Sequence, residues 1–418
     1  EGAVTSAFVP VLSWYRAKDR PEAFWALSQT LWTRLLILLS LLGVLGVLAA
    51  PAIVRLTAPG FVEDPEKLAM TIQLTRILFP FITLVGLWAF FMGLLNSLRH
   101  FAIPALGPAI LNVSMIVACL WLVPRVAPGV VGLAIGVMVG AVLQLVVQIP
   151  IALRLGFRFG LRFHHPGSGE VVKLMAPRTL GAAVYQSNVV IHTALASLAG
   201  IVGDGAVVAL YFANRLVQLP LALFGTASAQ ASLPALSEQA AASDLRAYRD
   251  TLLTVLRMTA FVMIPSAVGL IVLAFPIVEG LFERGAFDHR STVMTAQALI
   301  CYAVGLLAYA FSRIVSGAFY ALRDTWTPVR LAVEAVAVNV VLSLLLMGPL
   351  QVMGLALSAA CANALNAVRL LQRLERRLGA PLLRPLADSL GRMHLTAILM
   401  GLGCWGLWAA GDFAARPV

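Results

Sequence analysis

Eleven long runs in which apolar side chains dominate divide this chain, at 29–57, 72–98, 104–123, 130–154, 171–200, 206–237, 251–275, 293–321, 326–348, 352–372 and 388–410. A helix needs about 20 such residues to cross a hydrocarbon layer about 30 Å thick. Inside that layer each backbone N–H and C=O must find a partner within its own segment, so runs of this length fold as helices. With 60% of 418 residues hydrophobic, only 12% charged and a mean hydropathy of +0.91, a soluble globular fold is excluded. Residues 1–15 read as the second half of a further helix, ending before the basic Arg16-Ala-Lys-Asp-Arg20. No pattern of a secretory signal follows Glu1, and the chain reads as one that begins inside a span. The expected fold class is an all-α polytopic membrane protein.

Charge in the loops sets the orientation. One set of alternate loops holds eighteen basic residues, among them Arg99, Arg154, Arg158, Arg162, Arg246, Arg249, Arg323, Arg369, Arg373, Arg376 and Arg377; the other holds five, Arg55, Lys67, Arg125, Arg284 and Arg290. That asymmetry places the first set in the cytoplasm and Pro59-Gly-Phe61 outside. The net charge of +11 is thereby assigned to topology and anionic membrane lipids, and nucleic acid is excluded as a partner. Cys119, Cys301, Cys361 and Cys404 stand singly in apolar runs, without the spacing of a metal site or a disulfide framework.

An internal repeat fixes the domain plan. Gly93, Leu98, Arg99 and Pro104 form G-x4-L-R-x4-P, which returns as Gly317, Leu322, Arg323 and Pro328, 224 residues later. Pro10-Val-Leu-Ser13 returns as Pro234-Ala-Leu-Ser237 at the same offset. The offset spans six helices, an even number, so the copies are expected to be parallel repeats with a substrate site where two lobes face each other. The expected domains are an incomplete first lobe at 1–156, a basic linker at 157–170, a six-helix second lobe at 171–373, a basic interfacial segment at 374–387 and an extra membrane helix at 388–418. The interfacial segment is expected to bind anionic lipid.

Polar residues inside spans are the candidates for function. Arg215 lies nine residues in from Ala206, about 13–14 Å along the helix and close to the middle of the hydrocarbon layer. A guanidinium there costs at least about 3 kcal/mol unless a wet cavity or a partner receives it. Asn214 and Gln218 extend it into a polar stripe, and Pro220 removes a backbone hydrogen bond beside that stripe and is expected to bend the helix. Gln186, Asn188 and His192 share the preceding span. Arg313 with Ser312, then Glu334 and Asn339, then Asn363 and Asn366, occupy later ones. For the uncharged members a satisfied hydrogen bond between helices is the competing explanation. No phosphate-binding glycine loop, no HExxH and no Ser-His-Asp set is present, so an enzyme is not expected.

Taken in order, Glu1-Gly-Ala-Val-Thr-Ser-Ala-Phe-Val-Pro10, Ala58-Pro-Gly-Phe61, Leu95-Asn-Ser-Leu-Arg99 with Ile103-Pro104, Asn214-Arg215-Leu216 with Pro220, and Gly317-Ala-Phe-Tyr320 with Thr327-Pro328 resemble the MurJ/MviN lipid II flippases. The resemblance runs along essentially the whole chain. It implies two six-helix lobes of the multidrug/oligosaccharidyl-lipid/polysaccharide exporter type with extra C-terminal helices, the chain running from the second helix to the thirteenth. It implies transport of the undecaprenyl-pyrophosphate-linked peptidoglycan precursor from the inner to the outer leaflet of the bacterial inner membrane, by alternating access of the lobes around a cationic central cavity. In that reading Arg215 and Glu1 match an arginine and an acid of the family's cavity, with Asn214, Gln218, Gln186 and Asn188 as further contacts. Pro220, Arg313, Glu334, Asn339 and Asn366 are candidates for conformational change or coupling. Asn214 and Gln218 stand where some relatives carry acids, so a more positive cavity is expected. No cofactor is implied beyond a possible coupling cation such as sodium or a proton, and cell-wall synthesis machinery is a possible partner. A drug or polysaccharide-precursor antiporter of the same superfamily is the alternative, and it would favour an acidic or aromatic cavity over Arg215.

Overall fold

The computed structural model describes residues 11, 12, 15, 21–169, 171, 186, 187 and 189–415, with side chains as far as Trp408. Among these residues the secondary structure is helical, apart from one isolated bridge between Arg284 and Phe287. Seven helices are long and apolar enough to cross a membrane, or eight when the pair His289–Val304 and Leu306–Ala321, bent by 45°, counts as one. The chain divides into two compact units, Glu1–Ala183 and Val184–Val418.

In the first unit α1 (Pro21–Thr57), α2 (Pro65–Ser97), α3 (Ala102–Leu122) and α4 (Gly129–Arg154) occupy the expected spans. Exposed Leu38, Leu41, Leu42, Leu45 and Leu48 give α1 the lipid-facing surface that a membrane helix requires. Its other face carries Gly43 and Gly46, where a Cβ would meet the Thr83 hydroxyl and the Phe79 ring, so α1 and α2 approach closely. Farther along, Trp32, Phe90 and Phe91 form a ring cluster with Phe157 and Phe159, and Phe157 is 1% exposed.

That cluster corrects the expected linker. The stretch 157–163 is tied to α1: Gln29 Nε2 donates to the Arg158 carbonyl at 3.0 Å, Thr33 to that of Gly160 at 3.2 Å, and Arg34 to that of Phe163 at 2.9 Å. The units therefore divide at Ala183/Val184, and 157–163 belongs to the first of them. Most of the expected span at 171–200 lies outside the described residues.

The second unit contains α5 (Ala206–Ala241), α6 (Leu245–Val272), α7 (Ala274–Phe282), α8 (His289–Val304), α9 (Leu306–Ala321), α10 (Trp326–Leu378) and α11 (Leu383–Ala415). The expected spans 326–348 and 352–372 lie on α10, which is broken by non-helical backbone at Gln351 (φ 50°, ψ −128°). At the break Gly354 abuts the Leu346 carbonyl so closely that a Cβ would overlap it. The expected interfacial segment at 374–387 spans a break between two helices. The helix runs on to Leu378, turns at Gly379 (φ 63°) and restarts at Leu383. The Glu375 carboxylate accepts the backbone N–H groups of Leu382 and Leu383, both at 2.8 Å. Arg249 donates to the Pro381 carbonyl and Arg257 to that of Pro385, both at 3.0 Å. The basic stretch is thus pinned to its own unit.

The 224-residue repeat persists in the helix bounds. Pro65–Ser97 answers to His289–Ala321, the start of α3 at Ala102 to Trp326, and the end of α4 at Arg154 to Leu378. Asp64 caps α2 by accepting Lys67 N–H, and Asp288 caps α8 by accepting that of Ser291. The Leu-Arg turns also match. Arg99 (φ 63°) and Arg323 (φ 59°) both take left-handed backbone, while His100 N–H bonds Leu95 O and Asp324 N–H bonds Phe319 O, both at 2.9 Å. This is the helix stop in which the chain reverses over its last turn, and it serves both copies. Partial burial pushes the Asp324 carboxyl up, but bonds from the Thr327 N–H and hydroxyl, with Arg377 beside it, hold it below the usual carboxylate range.

Candidate substrate site

The candidate residues of α5 stand where the helix changes its winding. It is α-helical from Ala206 to Pro220, then winds as a π-helix over Leu221–Thr226 before the α form resumes at Ala227. Proline has no N–H to give to the preceding turn, and the wider winding accommodates that loss.

Arg215 is exposed. Its Nη2 donates to the Tyr211 hydroxyl at 3.1 Å, and its Cζ lies 5.0 Å from the centroid of the Tyr211 ring. Among the described residues no carboxylate pairs with it, in contrast to Arg369 with Glu334, Arg377 with Asp324 and Arg249 with Asp250. The stripe divides in two: Gln218 Nε2 donates to Asn214 Oδ1, four residues before it, while Arg215 turns back to Tyr211. Asn214 and Gln218 bond each other, and among the described residues the guanidinium donates to Tyr211.

Arg313 is also exposed, and its Nη1 donates to the Thr226 hydroxyl. Thr226 ends the π segment, eleven residues and about 16 Å along the helix from Arg215, so the two arginines do not form one cluster. On α10, Asn366 Nδ2 reaches the Ser312 hydroxyl at 3.4 Å, and Glu334 is paired with Arg369. With both side chains about half exposed, the second contact is worth at most about 1 kcal/mol. Asn339 is buried against His192. Gln186 is exposed, and Glu1 and Asn188 lie outside the described residues. Sequence reasoning missed Thr226 and the bonded pair Ser343–Ser358; a hydroxyl six residues beyond a proline carries no signal until the winding is known.

Arg215 and Arg313, each held by a hydroxyl and, among the described residues, without a carboxylate partner, are two separate positions at which an anion can be received. Comparison with known proteins gives the family. The family model described as lipid II flippase MurJ matches residues 1–411. The chain belongs to the MurJ family of lipid II flippases. A MurJ lipid II flippase of Burkholderia cenocepacia is 33% identical over 383 residues, 90% of this chain and 74% of that one. A probable MurJ of Rhizobium meliloti is 32% identical over 425 residues, covering all of this chain and 78% of its own. Among solved structures, a lipid II flippase MurJ in an inward closed conformation matches with a TM-score of 0.78 at 25% identity, over 99% of this chain and 88% of that one. An inward-facing multidrug resistance transporter of the MATE family matches with a TM-score of 0.74 at 15% identity, over 90% and 87%, and shares the fold. This MurJ-family chain is a multi-pass membrane protein and not an enzyme.

Proposed function

We propose that this MurJ-family chain moves lipid II across the bacterial inner membrane and that Arg215 binds the pyrophosphate of that lipid. The observation that carries the site is a guanidinium inside a membrane helix, exposed and without a carboxylate partner among the described residues. The pyrophosphate bears two or more negative charges and cannot cross hydrocarbon unaided. A guanidinium fork matches phosphate oxygens bidentately, and the arriving anion offsets the cost of holding the charge at that depth. Tyr211 holds the guanidinium through its hydroxyl and ring. Arg313, steadied by Thr226, offers a second cationic position along the substrate's path. Asn366, Glu334 and Pro220 belong to the contacts and the break that a conformational change would rearrange. Glu1, Gln186 and Asn188 remain family-based candidates for the same cavity, and anionic lipids and the cell-wall machinery remain candidate partners.

In flippase-depleted bacteria relying on this protein, Arg215→Ala is expected to bring lipid II accessibility at the outer leaflet down to background while membrane abundance stays unchanged. Arg215→Lys, which keeps the charge and loses the fork, is expected to be partly active at best. Normal flipping by a well-inserted Arg215→Ala protein would rule out the assignment.

A further inference from the structure

The strap that follows α4 carries a surface that the substrate site does not use. From Phe157 to His164 the apolar residues Phe157, Phe159, Leu161 and Phe163 alternate with Arg158, Gly160, Arg162 and His164, the spacing that puts the two kinds on opposite sides of an extended chain. The apolar series emerges from the fold as it advances. Phe157 is 1% exposed and Phe159 still packs on Trp32, but Leu161 is 74% exposed and Phe163 61%. Two large apolar side chains so open, on a segment tied down by hydrogen bonds, form a patch that favours an apolar partner.

Helix α1 fixes what that partner is. Gln29, Thr33 and Arg34, which hold the carbonyls of Arg158, Gly160 and Phe163, lie within about 8 Å of the start of the span expected at 29–57, the end that the arginine-rich loops place in the cytoplasm. Thr33 also accepts the Arg162 N–H at 3.1 Å, and Arg34 Nε joins Nη2 on the Phe163 carbonyl, at 3.1 Å. Arg34 shares a helix face with Ile37, Leu38, Leu41 and Leu45, at i+3, i+4, i+7 and i+11, and all four are exposed. The strap therefore ends on the side of α1 that meets lipid, one turn below Ile37 and Leu38, where the acyl region gives way to headgroups.

Charge points the same way. No acid lies between Arg154 and Gly169, and among the described residues no carboxylate pairs with Arg154, Arg158 or Arg162. Arg158 and Arg162 are exposed. An anionic headgroup supplies the charge that the protein withholds, beside the acyl chains that would cover Leu161 and Phe163.

We propose that the strap 157–163 is an interfacial anchor for anionic phospholipids of the cytoplasmic leaflet, with Leu161 and Phe163 entering the acyl region beside α1 and Arg158 and Arg162 binding headgroup phosphates. The bonds from Gln29, Thr33 and Arg34 fix the backbone of the strap within the protein itself, so the surface is formed before lipid arrives. The anchor rests on the membrane topology and not on the Arg215 assignment.

The N–H groups of Leu161 and Phe163 make no backbone bond among the described residues, so their exchange with solvent reports what covers the strap. The test compares hydrogen exchange of the whole chain in nanodiscs of phosphatidylcholine alone and of phosphatidylcholine mixed with phosphatidylglycerol. Exchange across 158–164 is expected to be several-fold slower in the mixed discs, while that of α3 stays the same. Replacing both arginines, Arg158→Gln with Arg162→Gln, should abolish the difference between the discs, and Leu161→Ser with Phe163→Ser should speed exchange in both. A benzophenone side chain in place of Leu161, photoactivated in bacterial membranes, is expected to capture phospholipid, and this readout decides the matter should the paired variants fail to fold. Equal exchange in the two discs, a difference that survives the arginine replacements, or capture of a protein or of nothing would overturn the proposal. Neither readout depends on substrate, so that failure would leave the Arg215 assignment untouched.

Discussion

At Arg323 and Arg99 the chain places a bulky side chain in left-handed backbone, which costs a non-glycine residue roughly 1 kcal/mol. The turn itself needs that conformation, since it brings Asp324 N–H back to Phe319 O and His100 N–H back to Leu95 O. Glycine would adopt it without strain, so Arg323→Gly is expected to stabilise the folded chain by about 0.5–1 kcal/mol, or to leave it unchanged where the greater freedom of the unfolded glycine cancels the gain. Thermal unfolding in detergent reads this directly, and a clear loss of stability would show that the Arg323 side chain itself holds the turn. Arg215 obeys the opposite logic: it sits in unstrained helix, and its cost lies in its charge. The sequence made that cost legible from depth alone. It did not reveal that Asn214 and Gln218 satisfy each other, because an i, i+4 spacing permits several pairings and only side-chain direction selects one.

Among the elements, α10 is the one whose continuity depends on a single small residue. The Gln351 reversal brings the Leu346 carbonyl against Gly354, and the obstacle is backbone, which cannot swing aside as a side chain would. Gly354→Ala is therefore expected to destabilise the second unit by about 1–3 kcal/mol. Loss of protein extractable in folded form, with a lowered unfolding temperature, is the measurement, and an unchanged temperature would refute the close approach. Nearly all the spans were legible as apolar length, because the membrane imposes that length on every crossing helix. What the basic stretches pack against was not legible. The run at 157–163 reads as a solvated linker, yet Phe157 is buried at its start, and the run after Leu374 is tied down from α6, where Arg249 and Arg257 donate to the carbonyls of Pro381 and Pro385. Such contacts join residues more than a hundred positions apart and leave no mark on local composition.

For the whole molecule, the repeat is the feature read most fully in advance: two short matches at one offset anticipated helix bounds and stop turns that recur at the same spacing. Beyond the repeat, α11 packs along α6, where a Cβ on Gly401 would meet Val268, and its start is held by Arg257. Arg257→Ala is expected to speed hydrogen exchange across 379–390 several-fold while α8 and α9 keep their protection. Uniform change over the second unit would show instead that α11 belongs to its cooperative core. The π segment after Pro220 bears on the molecule as a whole in another way. A π turn holds about one residue more than an α turn, so everything from Ala227 to Ala241 is rotated by about 100° from where an uninterrupted helix would put it. Helix α5 is thus two rotors on one shaft. The same residues wound as an unbroken α-helix would keep Arg215 in place and swing Thr226 away from Arg313, taking from that arginine the hydroxyl that steadies it, whereas a chain one residue shorter would need no π turn to keep Thr226 where it is.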